Sequence, residues 1–90
     1  MTKADKDILI SLKKAQSSLA KVQEMIEGGS YCVKVMQQTL AAIGLLKSVN
    51  TKLMKRHLDS CFTTAVKGSN KQKVSDMIEE IIQVNKLANK

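Results

Sequence analysis

Residues 30–67 read SYCVKVMQQTLAAIGLLKSVNTKLMKRHLDSCFTTAVK, a stretch with no proline that lies between Gly28-Gly29 and Gly68-Ser69. Ser30 can cap a helix here, and Gly44 alone only weakens one. The spacing therefore predicts a second helix of about 36 residues, roughly 54 Å long at about 1.5 Å per residue. A compact monomer of 90 residues cannot cover all the apolar sides of so long a helix. One face carries Cys32, Met36, Thr39, Ile43, Leu46, Asn50, Met54, His57 and Cys61 in helical phase. That stripe calls for a partner, and a second copy of the chain is the expected one.

Working outward, Thr2 or Asp5 can cap a first helix whose apolar stripe runs Ile8, Leu12, Ala15, Leu19, Val22 and Ile26, with Leu9 and Met25 beside it. It ends at Gly28-Gly29. Ser69-Asn70-Lys71-Gln72 reads as a capping box that opens a third helix through about Ala88, with Val74, Met77, Ile78, Ile81, Val84 and Ala88 on its apolar side. The chain has no proline or tryptophan and only Tyr31 and Phe62 as aromatics, while Leu, Ile, Ala, Met and Lys abound. The expected fold is all-α: a three-helix protomer with one long central helix, residues 1–90 forming a single domain without repeats or linkers. No run of 18 apolar residues occurs, and Met1-Thr2-Lys3-Ala4-Asp5-Lys6-Asp7 is too polar for a signal peptide. These features predict a cytoplasmic protein away from the membrane, in which two cysteines serve as thiols, ligands or redox sensors sooner than as a structural disulfide.

Cys32, His57 and Cys61 are the only cysteines and the only histidine. His57 and Cys61 lie four apart, one above the other on a helix. Cys32 precedes them by 25 and 29 residues, offsets that return to within about 20° of the same face at 100° per residue. Twenty-five helical residues span roughly 37 Å, so Cys32 cannot meet His57 on one straight helix. Two copies packed antiparallel about an axis near Leu45 and Leu46 would bring Cys32 of one chain to His57 and Cys61 of the other, twice over. Gly44 sits there and permits close approach. Two thiolates and one imidazole suit Cu(I), or Zn(II) if a fourth ligand joins. The alternative is structural, with Cys32 and Cys61 as small apolar fillers and His57 at a polar boundary. Met25, Met36, Met54 and Met77 offer thioethers, though methionine at helical spacing usually fills a core. Asn50 either hydrogen-bonds across the two-fold axis or stands in solvent. Nothing assembles a nucleophile, base and oxyanion site, a phosphate-cradling loop or a carboxylate pair, so no enzyme is expected.

Fourteen lysines, one arginine and eight acidic residues give a net charge of +7. Such a field attracts phosphate without reading sequence. With no helix-turn-helix or zinc finger, DNA binding would use a broad helical surface.

Glu27-Gly28-Gly29-Ser30-Tyr31-Cys32, the Val33 to Leu46 segment, Arg56-His57-Leu58-Asp59-Ser60-Cys61 and a short third helix after Gly68 together resemble the CsoR/RcnR family of bacterial metal-sensing repressors. The resemblance covers nearly the whole chain. It implies an antiparallel homodimer that assembles into a dimer-of-dimers homotetramer, with Cys32, His57 and Cys61 as cross-subunit Cu(I) ligands. It places Tyr31 and a third-helix glutamate, Glu80 in preference to Glu79, in the hydrogen-bond network around those ligands. It also implies operator double-stranded DNA as partner, contacted by basic side chains of helices one and two, here Lys13, Lys14, Lys21, Lys47, Lys52 and Lys55. The nickel and cobalt branches add a histidine near the N-terminus, absent here, and a persulfide-sensing branch lacks the histidine that this chain has at position 57. Where many relatives carry Gly-Gln-Val-Arg in the first helix, this chain has Ser17, Ser18, Leu19 and Ala20, and lysine lacks the bidentate fork with which arginine reads guanine. The expected function is a Cu(I)-responsive transcriptional repressor, bound to its operator in the apo form and released by copper. Two alternatives are a thiol or persulfide sensor using Cys32 and Cys61, and a metal-binding helical protein that leaves DNA alone.

Overall fold

The computed structural model describes all 90 residues, and every regular element is helical. In chain order these are α1 (Lys3–Glu27), α2 (Cys32–Arg56), a π-helical turn (His57–Phe62), α3 (Thr63–Lys67) and α4 (Lys71–Ala88). The expected long central helix is thus helical from Cys32 to Lys67, passing through Gly44, but it changes its winding at His57. The chain divides into two compact units, Met1–Met54 and Lys55–Lys90.

The first unit is a hairpin of α1 and α2. Thr2 caps α1: the Asp5 N–H donates to Thr2 Oγ1 at 3.1 Å and the Thr2 N–H donates to Asp5 Oδ2 at 3.3 Å, a reciprocal capping box. At the other end the Gly29 N–H donates to Ile26 O and the Ser30 N–H to Met25 O. This closure requires Gly29 to take φ +72°, a region costly to any residue with a Cβ. Ser30, expected to cap α2, is used here instead to end α1. The start of α2 rests on Tyr31, whose carbonyl accepts from the N–H groups of Lys34 and Val35.

The buried row of α1 is Ile8, Ser11, Ala15 and Ser18, continued by half-buried Val22 and Met25. The expected stripe contained Leu19 and Ile26, but both are exposed, and Leu12 is half-buried. The face has turned by one residue to admit two serines, because α2 supplies a partner for each hydroxyl. Gln38 Nε2 donates to Ser18 Oγ at 2.9 Å, and Lys52 Nζ donates to Ser11 Oγ. Since the later residue on α2 meets the earlier one on α1, the two helices run antiparallel. The opposing row of α2 is Val35, Gln38, Ala42, Leu45 and Val49. Ala15 and Ala42, each only 1% exposed, keep the seam narrow. A buried hydroxyl left without a partner costs about 1–3 kcal/mol, so these two cross-helix bonds remove a penalty and fix the register of the hairpin.

In the second unit Ala65 and Met77 are buried, with Val74 and Ile81 half-buried. The cap of α4 is Asn70, whose Oδ1 accepts from the Lys73 N–H at 3.1 Å, and not Ser69 of the expected capping box. Asn70 is the last extended residue before the helix, which puts its short carbonyl side chain over the free N–H groups. Of the expected apolar side of α4, Val74, Met77 and Ile81 turn inward while Ile78 and Val84 are exposed. No helix is long and apolar enough to cross a membrane.

Candidate metal centre

Cys32 is the first residue of α2, exposed, with a free thiol. It heads the stripe that the helical phase singled out: Met36 is 56% exposed, Ile43 43% and Leu46 41%, and Thr39 and Asn50 are exposed as well. This stripe lies about a quarter-turn round α2 from the row that packs on α1. A helix with two apolar faces needs two partners. The hairpin supplies one, and the face that carries Cys32 stays open.

His57 and Cys61 lie in the π-helical turn of the second unit. His57 is half-buried and Cys61 is exposed with a free thiol. The wider winding disturbs the backbone ladder, and nearby hydroxyls take up carbonyls: Ser60 Oγ donates to Arg56 O at 2.7 Å and Thr63 Oγ1 to Leu58 O at 2.6 Å. Ser60 Oγ also points at Cys61 Sγ, 3.8 Å away. A four-residue interval is slightly less than one turn here and slightly more than one turn in an α-helix, so His57 and Cys61 still share a face. The sequence expectation of an α-helical pair is corrected in winding and kept in facing. Single π turns inside helices are frequent at functional sites.

Within one chain no three His, Cys, Asp or Glu side chains converge on a point that could hold a metal. The donor chemistry nevertheless fits a soft ion, since two free, exposed thiols and one imidazole are present and no carboxylate is drawn toward them. Asp59, the acid nearest in sequence, is paired with Lys55 at 3.4 Å. Tyr31, 69% exposed, adjoins Cys32, and Glu80 is exposed on α4.

The six candidate DNA-contacting lysines are not alike. Lys13 and Lys14 are exposed on α1, as is Lys21, and Lys47 is exposed on α2. The ammonium of Lys52 is engaged with Ser11 in the hairpin seam, and that of Lys55 with Asp59. The role of Lys52 could have been read from Ser11 and Ser18, seven residues apart and in phase with Ile8, Ala15, Val22 and Met25. A search for apolar residues alone passes over them.

A family model described as "Metal-sensitive transcriptional repressor" matches residues 4–86. The copper-sensing transcriptional repressor CsoR of Mycobacterium tuberculosis (strain H37Rv) is 34% identical over 86 residues, covering 96% of this chain and 70% of that protein. CsoR of Bacillus subtilis (strain 168) is 29% identical over 69 residues, covering 76% and 68% respectively. The crystal structure of CsoR with Cu(I) from Geobacillus thermodenitrificans superimposes with a TM-score of 0.84 at 26% identity, over 100% of this chain and 92% of that one. With an all-helical fold, an open stripe headed by a free thiol and a family match across nearly its whole length, this chain belongs to the metal-sensitive transcriptional repressors.

Proposed function

We propose that this repressor senses Cu(I) through two sites shared between chains, each formed by Cys32 of one copy with His57 and Cys61 of another. The observation that carries the reading is the open α2 stripe headed by the exposed Cys32 thiol, a face left uncovered by the chain's own hairpin. Antiparallel pairing of two such stripes about an axis near Leu45 and Leu46 buries Met36, Ile43 and Leu46 against the same stripe of the other copy, and a dimer of these dimers is the expected tetramer. Tyr31 and Glu80 are assigned to the hydrogen-bond network that orients the ligands. Cys32, His57 and Cys61 would hold Cu(I), which would supply a soft ion that joins thiolate and imidazole donors of two chains. Operator DNA is held by the exposed lysines of α1 and α2, Lys13, Lys14, Lys21, Lys47 and Lys55, with Lys52 contributing less because its ammonium is engaged with Ser11 in the hairpin seam. Metal and DNA are linked: each weakens the other by the same factor, and only to the extent that they favour different arrangements of the helices.

The test is anaerobic titration with Cu(I), Ni(II) and Zn(II), followed by DNA binding with each form. Cu(I) at one equivalent per chain is expected to abolish a salt-dependent operator shift, and Cys32→Ala to remove the effect. Release by Ni(II) or Zn(II) in preference to Cu(I) contradicts the proposal. The exposure of both free thiols also favours a second reading, a thiol or persulfide switch joining Cys32 and Cys61 between chains. In that case persulfide treatment yields an inter-chain cross-link by mass spectrometry and releases DNA without metal.

A further inference from the structure

The helix starts of this chain are not built alike. Thr2 and Asn70 cap α1 and α4 with side-chain oxygens. At the corresponding place before α2 stands Tyr31, whose phenol cannot fold back to the first-turn N–H groups, and Ser30 is taken up in closing α1. The first turn of α2 is closed by backbone bonds, the Lys34 and Val35 N–H groups donating to Tyr31 O at 3.0 and 3.2 Å. Movement of Tyr31 or Cys32 therefore passes directly to Lys34. Lys34 is exposed and unpaired, and the chain carries no acidic residue from Gly28 to Leu58. A cation this close to a helix N-terminus opposes the dipole, so the fold gains nothing from it locally. Its side of the helix is nevertheless defined. Two residues turn an α-helix by about 200°, which sends Lys34 out nearly opposite Cys32 and away from the stripe where a second copy packs. About five turns further on, in the same phase, is Lys52, whose ammonium engages Ser11 of α1. Lys14 and Lys21 stand three residues beyond Ser11 and Ser18 on α1, along that same edge. One basic face thus runs across the hairpin, and Lys34 is the member of it whose backbone shares a turn with the Cys32 thiol.

We infer that Lys34 contacts the DNA phosphate backbone in the apo protein and is the contact that copper weakens: tying Cys32 into a shared site moves the uncapped first turn of α2 and withdraws the Lys34 ammonium from its phosphate. This rests on the cross-chain reading of the Cys32 site and names the residue through which that site reaches DNA. Lysines elsewhere on the basic face attract phosphate in both forms, so the test must read the difference between apo and copper-loaded protein.

The experiment uses the full-length protein and a fluorescent DNA duplex selected from a random-sequence pool by the apo protein. Anaerobic anisotropy titrations over a range of salt compare the apo and Cu(I)-loaded forms of the parent, Lys34→Gln, Lys34→Arg and Lys21→Gln. Lys34→Gln is expected to bind about tenfold more weakly in the apo form, with a salt slope smaller by about one for each chain that touches the duplex, and to bind like the parent when loaded with Cu(I). The ratio between the two forms therefore narrows. Lys34→Arg restores it because it keeps the charge, and Lys21→Gln weakens both forms alike and leaves the ratio unchanged. If Lys34→Gln lowers both forms by the same factor, or lowers neither, Lys34 is not the copper-sensitive contact and the inference is overturned with the site beneath it intact. If Cu(I) fails to release the parent, or releases Cys32→Ala as readily, the shared site itself is wrong and the inference goes with it.

Discussion

Replacing Ile43 by Glu tests whether the open stripe of α2 is a surface for a second copy. Ile43 is 43% exposed in the chain, and its neighbours on the stripe, Leu46 and Met36, are 41% and 56% exposed. Complete burial of such a side chain is worth about 1.5–3 kcal/mol, so covering the part still open gives about 1 kcal/mol for each. A two-fold axis counts every contribution twice, making Ile43 worth about 2 kcal/mol to the dimer. Glu at this position forfeits that gain and places two carboxylates against an apolar partner face, a further loss of at least about 2 kcal/mol even where water reaches them. The total, about 4 kcal/mol, weakens dimerisation by roughly a thousandfold. Sedimentation equilibrium measures this directly, while circular dichroism checks that the hairpin survives, as it should because Ile43 lies off the row that meets α1. Gln37→Glu, on the far side of α2 from the stripe, is the matched charge control. Equal dimer dissociation constants for Ile43→Glu and Gln37→Glu would refute the assignment of this face.

Three further outcomes are expected. Ser18→Ala leaves the Gln38 amide without its partner in a narrow seam and costs about 1 kcal/mol, a fall of roughly 4–8 °C in Tm for a chain of this size. Gly29→Ala forces a Cβ into φ +72° and costs about 1 kcal/mol, read from the urea midpoint at unchanged m-value. Lys21→Glu is expected to weaken operator binding and flatten its salt dependence, whereas Lys52→Gln, which alters the contact with Ser11, is expected to lower Tm more than it alters DNA affinity.

The helices themselves were legible because Gly28-Gly29 and Gly68-Ser69 bound them and apolar periodicity runs through them. The open stripe was legible for the same reason: Cys32, Met36, Ile43 and Leu46 recur at helical spacing whether or not the chain covers them. The rotation of the α1 face was not legible from hydrophobicity, since it depends on Gln38 and Lys52 of another helix satisfying Ser18 and Ser11. Local competition explains the misplaced caps. Ser30 is drawn into closing α1, and Asn70 rather than Ser69 is the last extended residue before α4. The π turn at His57–Phe62 carries no composition signal, because a single wide turn leaves i and i+4 on nearly one face and the same sequence pattern serves both windings. Pairwise spacing therefore identified His57 and Cys61 as neighbours while leaving their backbone wrongly wound.

The central claim is that each copper site takes Cys32 from one chain and His57 with Cys61 from another, and complementation between two inactive variants tests it most directly. Cys32→Ala and Cys61→Ala are each expected to lose tight Cu(I) binding as homodimers. Unfolded together and refolded, random pairing makes about half of the dimers mixed, each with one intact site, so roughly one site in four regains tight binding. Chelator competition under anaerobic conditions counts those sites. Recovery near that fraction is the predicted result, and a refolded mixture that binds no more Cu(I) than the two variants kept apart would contradict a site shared between chains.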